Sequence, residues 1–345
     1  MNFHPDALKL DPAQETDRIV RFLQQTVRQT FKRHGAVVGI SGGVDSAVVF
    51  ALAVRAFGSQ RVVAIMMPDQ DSDPISETLA RELAAQFGVE PLLENITPAL
   101  KGFECYRRRD DAIRRVVPDY DPARGDRAKL VLPPGLLESG TLNVYSVTVV
   151  RADGRQETRP LPPREFLEIV AASNFKQRTR MSTLYYHAEA RNFAVIGTAN
   201  KNEHALGFFV KHGDGGADVQ PIAHLFKTQI YQLAAFLNVP EAIRRRTPTT
   251  DTYSAPQDQQ EFFFRLPFAT LDLLWHAMET GVPAAEAARV MGLTEAQVQH
   301  VYDDIARKQR TTEYLRTPAL MLSPPPTGRA GPVAAELRVP AALPS

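Results

Sequence analysis

Gly39-Ile-Ser-Gly-Gly-Val-Asp-Ser-Ala47 is the stretch on which the reading of this chain turns. The residues leading into it, Ala36-Val-Val-Gly-Ile40, form a continuous apolar run of strand length. The residues after it predict a helix over 46–57. A strand therefore passes through a Ser/Gly turn straight into a helix. A helix start carries unpaired N–H groups and the positive end of the helix dipole. Glycines let backbone approach an anion, and serine hydroxyls add donors. The stretch reads as a phosphate cradle built from Gly39, Ser41, Gly42, Gly43 and Ser46. No lysine follows the glycines, so this is not the lysine-bearing P-loop. Asp45 stands there instead. A carboxylate beside a phosphate calls for a cation between them, which makes Asp45 a candidate Mg²⁺ ligand. The alternative is a tight turn with no ligand.

Outward from the cradle, strands and helices alternate. Residues 17–33 place Ile19, Val20, Phe22, Leu23, Val27 and Phe31 at helical spacing. After the cradle come a strand over 61–67, a helix over 76–88 closing on Gly88, and a strand over 91–96. This order predicts an α/β fold, a doubly wound parallel sheet with helices on both faces. The pattern breaks over 103–165, where an arginine-rich stretch precedes a hairpin turning at Asp153-Gly154. That segment reads as an insertion. The framework resumes with a helix over 175–191, a strand over 193–198, a short helix in Asn200–Leu206, the glycine-rich loop 210–218 and a helix over 226–237. From about 259 the chain reads as helical, and 323–345, rich in proline and aperiodic, as a disordered tail. One domain over 1–322 is expected.

Composition excludes several classes. The chain has 345 residues, 44% hydrophobic, with 40 basic and 39 acidic side chains. A formal charge of +1 asks for neither nucleic acid nor membrane as partner. One cysteine rules out a disulfide framework within the chain and argues against a cysteine zinc site. The first residues lack an apolar signal core, and no run of about 18 apolar residues exists. A cytoplasmic protein is expected.

The motif SGGVDS resembles the pyrophosphate-binding motif of the ATP pyrophosphatases, which cleave ATP to AMP and pyrophosphate. Further stretches narrow the resemblance: NFKQRTRM (174–181), IGTANKNEHALGFFVKHGDGGAD (196–218), LFKTQIYQLA (225–234) and TPTTD (247–251). Together, in this order, they resemble the ammonia-dependent NAD⁺ synthetases. The resemblance implies that Gly39 to Ser46 hold the ATP phosphates and that Asp45 and Glu203 share Mg²⁺. It implies ATP contacts from Thr198, Lys227 and Thr249. It places deamido-NAD⁺ on Arg178, Lys211 and Asp218, and ammonia near Asp214. It also implies a homodimer. The expected reaction joins ammonia to the carboxylate of deamido-NAD⁺ through an acyl-adenylate. Only about 35 residues precede the first strand, too few for a glutamine-hydrolysing domain, so ammonia comes free or from a separate amidotransferase.

Two departures qualify the resemblance. The 103–165 segment is longer than usual, and Leu315 stands where the family carries a lysine, with Arg316 beside it. Arg316 is therefore a candidate substrate contact in the lysine's place. If Leu315 instead lines a less polar pocket, the alternative is the same chemistry on a different carboxylate. A DNA-binding reading rests on the helix-turn-helix look of 283–310, but 293–304 holds no basic residue. An ATP sensor without turnover is the third reading.

Overall fold

A computed structural model describes residues 3–132, 145–249, 252–257, 259 and 263–322. The chain enters through α1 (Pro12–Gln24), which the Asp11 side chain caps, and a π-helical turn over Gln25–Thr30. Then come β1 (Ala36–Gly39), α2 (Val44–Phe57), β2 (Val62–Met66), α3 (Pro74–Gln86) and β3 (Leu92–Leu93). Two helices follow, α4 (Thr97–Gly102) and α5 (Cys105–Val116). A small sheet is formed by β4 (Arg127–Val131), β5 (Ser146–Val150) and β6 (Gln156–Pro160). Then come the long α6 (Pro163–Glu189), β7 (Ala194–Ile196), α7 (Lys201–Leu206), α8 (Lys227–Phe236) and α9 (Glu241–Arg245). The C-terminal part is α10 (Phe268–Glu279), α11 (Ala284–Met291), α12 (Glu295–Thr311) and the short α13 (Glu313–Arg316).

The main sheet has the order β3-β2-β1-β7 and is parallel throughout. Its side chains alternate between two covered faces, as a doubly wound sheet requires. Ala36 and Val38 join a core with α1, α2, α3 and α8, whereas Val37 packs with Met181, Leu184 and Ala188 of α6. The order reverses between β1 and β7, so the carboxyl ends of these strands open a crevice. In such folds ligands sit at that crevice. A separate core of α10–α12, which includes the fully buried Trp275, takes in Leu206 of α7 and Phe226 at the start of α8.

Several expected boundaries move. The helix predicted over 175–191 begins at Pro163; the face its first turns bury, Glu165, Ile169, Ala172, Ser173 and Lys176, keeps helical spacing but mixes polar with apolar side chains, which hides it from an apolar pattern. The strand expected over 91–96 keeps only Leu92–Leu93 in the sheet, since Leu93 lies exposed at the edge. The hairpin at Asp153-Gly154 is present and gains a third strand, β4. The arginine-rich stretch forms α5, a helix the apolar pattern hides because its buried face includes Arg109 and Asp110. Regular α-helix in the C-terminal part begins at Phe268, later than expected. The tail expected over 323–345 lies outside the described residues, as do 133–144 within the 103–165 segment.

Candidate functional site

The cradle is built by the chain geometry at the end of β1. Gly42 has φ +71°, a left-handed conformation that favours glycine, and an added Cβ would meet Ser76 O at 2.7 Å. Gly43 is the N-cap of α2 and offers no capping side chain, so the first-turn amides stay open to an anion. Ser46 Oγ donates to Gly43 O at 2.9 Å and lies 3.3 Å from Ser41 Oγ, which shapes the turn.

A cavity of about 490 Å³ opens over this turn. Of the residues expected to bind ATP, Gly39, Ser41, Gly43, Asp45, Ser46, Thr198, Lys227 and Thr249 line it. Glu203 and Asp214 line it too. Gly42 supports it from behind. Residues from five separated stretches therefore meet at one crevice.

The centre of this wall is a charged triad. Asp45 Oδ2 lies 2.5 Å from Lys227 Nζ, and Asp45 Oδ1 accepts from Asn200 Nδ2 at 2.8 Å. Lys227 is fully buried. Burial works against its charge, but the carboxylates of Asp45 and Glu203 outweigh that and hold its pKa above the ordinary lysine value. Glu203 closes a capping box at the start of α7: Asn200 Oδ1 accepts from Glu203 N at 3.0 Å, and Glu203 Oε2 from Asn200 N at 3.2 Å. Burial first, and then the nearby Asp45 charge, push the Glu203 carboxyl well above the usual range. Two carboxylates that repel one another across a phosphate cradle fit one hard cation, which would relieve that repulsion. No group of three or more acidic, histidine or cysteine ligands exists among the described residues, so phosphate oxygens or water would complete its shell.

The positions of α7 and α8 depend on residues the sequence reading did not single out. Asp272, fully buried on α10, accepts from Asn202 Nδ2 at 2.5 Å and from Thr228 N at 2.9 Å. Asn202 Oδ1 in turn accepts from Lys227 N at 2.9 Å. The C-terminal helices thus hold the start of α8, and with it Lys227, in place. Gln259 Nε2 donates to Glu203 Oε1 at 3.2 Å. Arg246 reaches Ser76 Oγ at 3.0 Å and Asp73 at 3.3 Å on the cavity rim. Local sequence marks only Asp272, an Asp in a largely apolar helix.

Asp214 Oδ1 accepts from Val210 N at 2.8 Å inside the glycine-rich loop. Burial pushes its carboxyl up to about 6. The expected substrate residues are arranged differently. Arg178 Nε donates to Lys211 O at 3.3 Å. Lys211 Nζ donates to Tyr314 O and Thr317 O, both at 2.9 Å, and lies 4.1 Å from the Tyr314 ring centre. Arg316 is turned to the α12–α13 corner, donating to Gln309 O at 2.7 Å and His204 O at 3.2 Å. Asp218 accepts from Val195 N at 2.8 Å and from Tyr185 OH at 2.9 Å, and lines a smaller cavity of about 220 Å³. None of these four lines the large cavity.

Comparison with known proteins agrees with this architecture. The chain is 50% identical over 314 residues to an NH(3)-dependent NAD(+) synthetase of Mesorhizobium japonicum, covering 91% of this chain and 98% of that one. It is 49% identical over 322 residues to the enzyme of that name from Rhizobium meliloti, covering 93% and 95%. Among solved structures, an NH3-dependent NAD synthetase from Campylobacter jejuni shares the fold, with TM-score 0.58 and 24% identity over 91% of this chain and 100% of that one. The NAD synthase family model matches residues 15–118 and 141–319, leaving out a piece of the 103–165 segment. By these matches the chain belongs to the NAD synthase family.

Proposed function

We propose that this protein amidates deamido-NAD⁺ with ammonia, at the expense of ATP, and releases NAD⁺, AMP and pyrophosphate. The observation that carries this reading is the Asp45 carboxylate, held between Lys227 and Asn200 at an uncapped helix start and facing Glu203. In the first step an oxygen of the substrate carboxylate forms a bond to the α-phosphorus of ATP. The α–β bond breaks, and pyrophosphate leaves with the electron pair. In the second step ammonia forms a bond to the acyl carbon, AMP leaves, and one proton is released. The α2 amides and Ser46 orient the phosphates, and Lys227 offsets the charge that grows as pyrophosphate departs. Asp45 and Glu203 would hold Mg²⁺, which supplies further charge neutralisation on the phosphates. Asp214, at the cavity wall, holds ammonium in this reading before it loses a proton. Thr198 and Thr249 contact ATP in this reading. Arg178, Lys211, Asp218 and Arg316 engage the dinucleotide from outside the large cavity.

No helix among the described residues is long and apolar enough to cross a membrane, and cytoplasmic work as a homodimer fits the reading. Ammonia arrives free or from a separate amidotransferase. Incubation with ATP, Mg²⁺, ammonium and deamido-NAD⁺ tests the proposal. Stoichiometric AMP and NAD⁺ are expected; ATP binding without AMP release would sink it.

A further inference from the structure

From the cavity wall, where Asp69 and Arg180 both line it, a second set of charges that the reaction above does not use runs inward. Arg180 Nη2 lies 3.2 Å from Asp69 Oδ2. Asp69 Oδ1 lies 3.2 Å from Lys176 Nζ, which lies 2.7 Å from Asp71 Oδ2. The same Asp71 oxygen lies 2.5 Å from Arg109 Nη1, and Arg109 Nε lies 2.9 Å from Asp110 Oδ1. The six side chains form one line of alternating sign from the cavity to α5. Their exposures run from 0% for Asp69 to 15% for Arg180. Such a line is rigid, because no member can turn away without leaving its neighbour's charge buried and unpaired.

The two ends differ from the interior. Each inner member sits between two opposite charges. Arg180 is ion-paired with one carboxylate, which it shares with Lys176, and it lines the cavity, where its charge also acts on Asp214. Its Nε is fixed on Met67 O at 3.2 Å, so the guanidinium cannot swing freely. Of the other cavity cations, Lys227 is held by Asp45, and Arg246 reaches Asp73 and Ser76 on the rim. Arg180 thus differs from Arg246 in being fixed to a buried carboxylate rather than to one on the rim. At the far end Tyr120 OH donates to Asp110 at 3.4 Å, inside the core of α5 and the small sheet.

We propose that the line Asp69, Lys176, Asp71, Arg109 and Asp110 is a positioning device that aims Arg180 at the phosphate and carboxylate oxygens reacting during adenylation. It makes α5, at the head of the 103–165 segment, a working part of the site. A guanidinium preset in a dry wall needs no reorganisation when charge develops on those oxygens.

The inference rests on the amidation reading, and steady-state AMP formation by the full chain from ATP, Mg²⁺, ammonium and deamido-NAD⁺ tests the two separately. Arg180→Gln should lower kcat by about 100-fold. Arg109→Gln, remote from the cavity, should lower kcat by about ten-fold and leave the KM for ATP within about two-fold. Arg109→Lys, which keeps the charge, should recover most of that loss. Arg109→Gln leaves Asp110 buried without its cation, which costs stability. Arg109→Met combined with Asp110→Asn removes the last pair together and keeps the rest balanced. This double variant should melt near wild type and show the same fall in kcat. A folded double variant with wild-type kcat overturns the positioning role, as does a loss that only follows the folded fraction. A wild type that forms no AMP from deamido-NAD⁺ overturns the amidation reading and this inference with it.

Discussion

The phosphate cradle takes its donors from one short stretch at the end of β1, whereas Arg178, Lys211, Asp218 and Arg316 come from different elements and do not all meet at one cavity. The first region binds with backbone amides at a helix start, so eight consecutive residues suffice. In the proposed function the second would reach along a large dinucleotide, and its residues are spaced by the fold. Arg178 contacts Lys211 O and Lys211 reaches the C-terminal segment, while Asp218 is bonded to Val195 of β7 and lines the smaller cavity. A compact polar ligand is read locally, and a long one by surfaces that the chain must first assemble.

Replacing Lys227 tests the first region most severely. Lys227→Met should cut turnover by roughly 10³ and cost about 3–5 kcal/mol of stability, because Asp45 then keeps a charge with no cation beside it. Asp45→Asn and Glu203→Gln should each cut turnover by roughly 10² while the chain still folds. Near-normal turnover in either would remove that residue from the proposed Mg²⁺ site.

Arg178→Ala and Lys211→Ala address the second region. Each should raise the KM for deamido-NAD⁺ by about ten-fold or more, the weight of one charge-assisted hydrogen bond, and leave the KM for ATP unchanged. A shift in the ATP value instead would merge the two regions into one site.

Asp214 sharpens the boundary between them through pH. The folded chain holds this carboxyl at about 6, above the ordinary 3.8 of an exposed aspartate, because of burial. The folded state therefore binds the proton more tightly than the unfolded one. The stability this supplies is full below the ordinary value and is lost as pH rises to about 6. Asp214→Asn should consequently melt higher than wild type at pH 8 and no higher at pH 3.5. If its carboxylate holds ammonium, wild-type activity should fall below about pH 6 and the variant should lose that fall. A wild type whose activity stays flat from pH 8 to pH 5 would take ammonium away from Asp214.

The smallest effect is expected at Arg316. Its guanidinium already donates to Gln309 O, His204 O and Thr312 Oγ1. Arg316→Ala should cost about 1–2 kcal/mol of stability and change the KM for deamido-NAD⁺ less than three-fold, on the order of one exposed contact. A large KM effect would show that the C-terminal corner rearranges around the substrate. Higher deamido-NAD⁺ activity in Leu315→Lys would instead point to a different natural carboxylate.

Most of the parallel framework was legible because apolar runs and turn residues coincide there. Val37 and Val38 sit in a run buried on both faces, and Gly42 marks a turn only glycine fits well. The start of α6 and the whole of α5 were not legible, since α5 buries Arg109 and Asp110 where a pattern search expects apolar side chains. A buried charge looks like a solvated one until its partner is known. Asp69 and Asp71 lie in a loop after β2, far in sequence from Lys176, and no local rule pairs them.

The sequence by itself determined the parallel α/β order, the helix start that faces an anion, and the set of side chains able to neutralise one. Those features depend on neighbours within one turn or one strand, where spacing alone fixes geometry. Tertiary structure alone decided which charges meet. Lys227 faces Asp45 because Asn202 and Asp272 hold α8 against α7 and α10, and Arg180 is aimed by a line of charges that ends on α5. Coulomb attraction between buried groups is strong only at contact distance in a low-dielectric interior, and folding, not sequence proximity, creates those contacts.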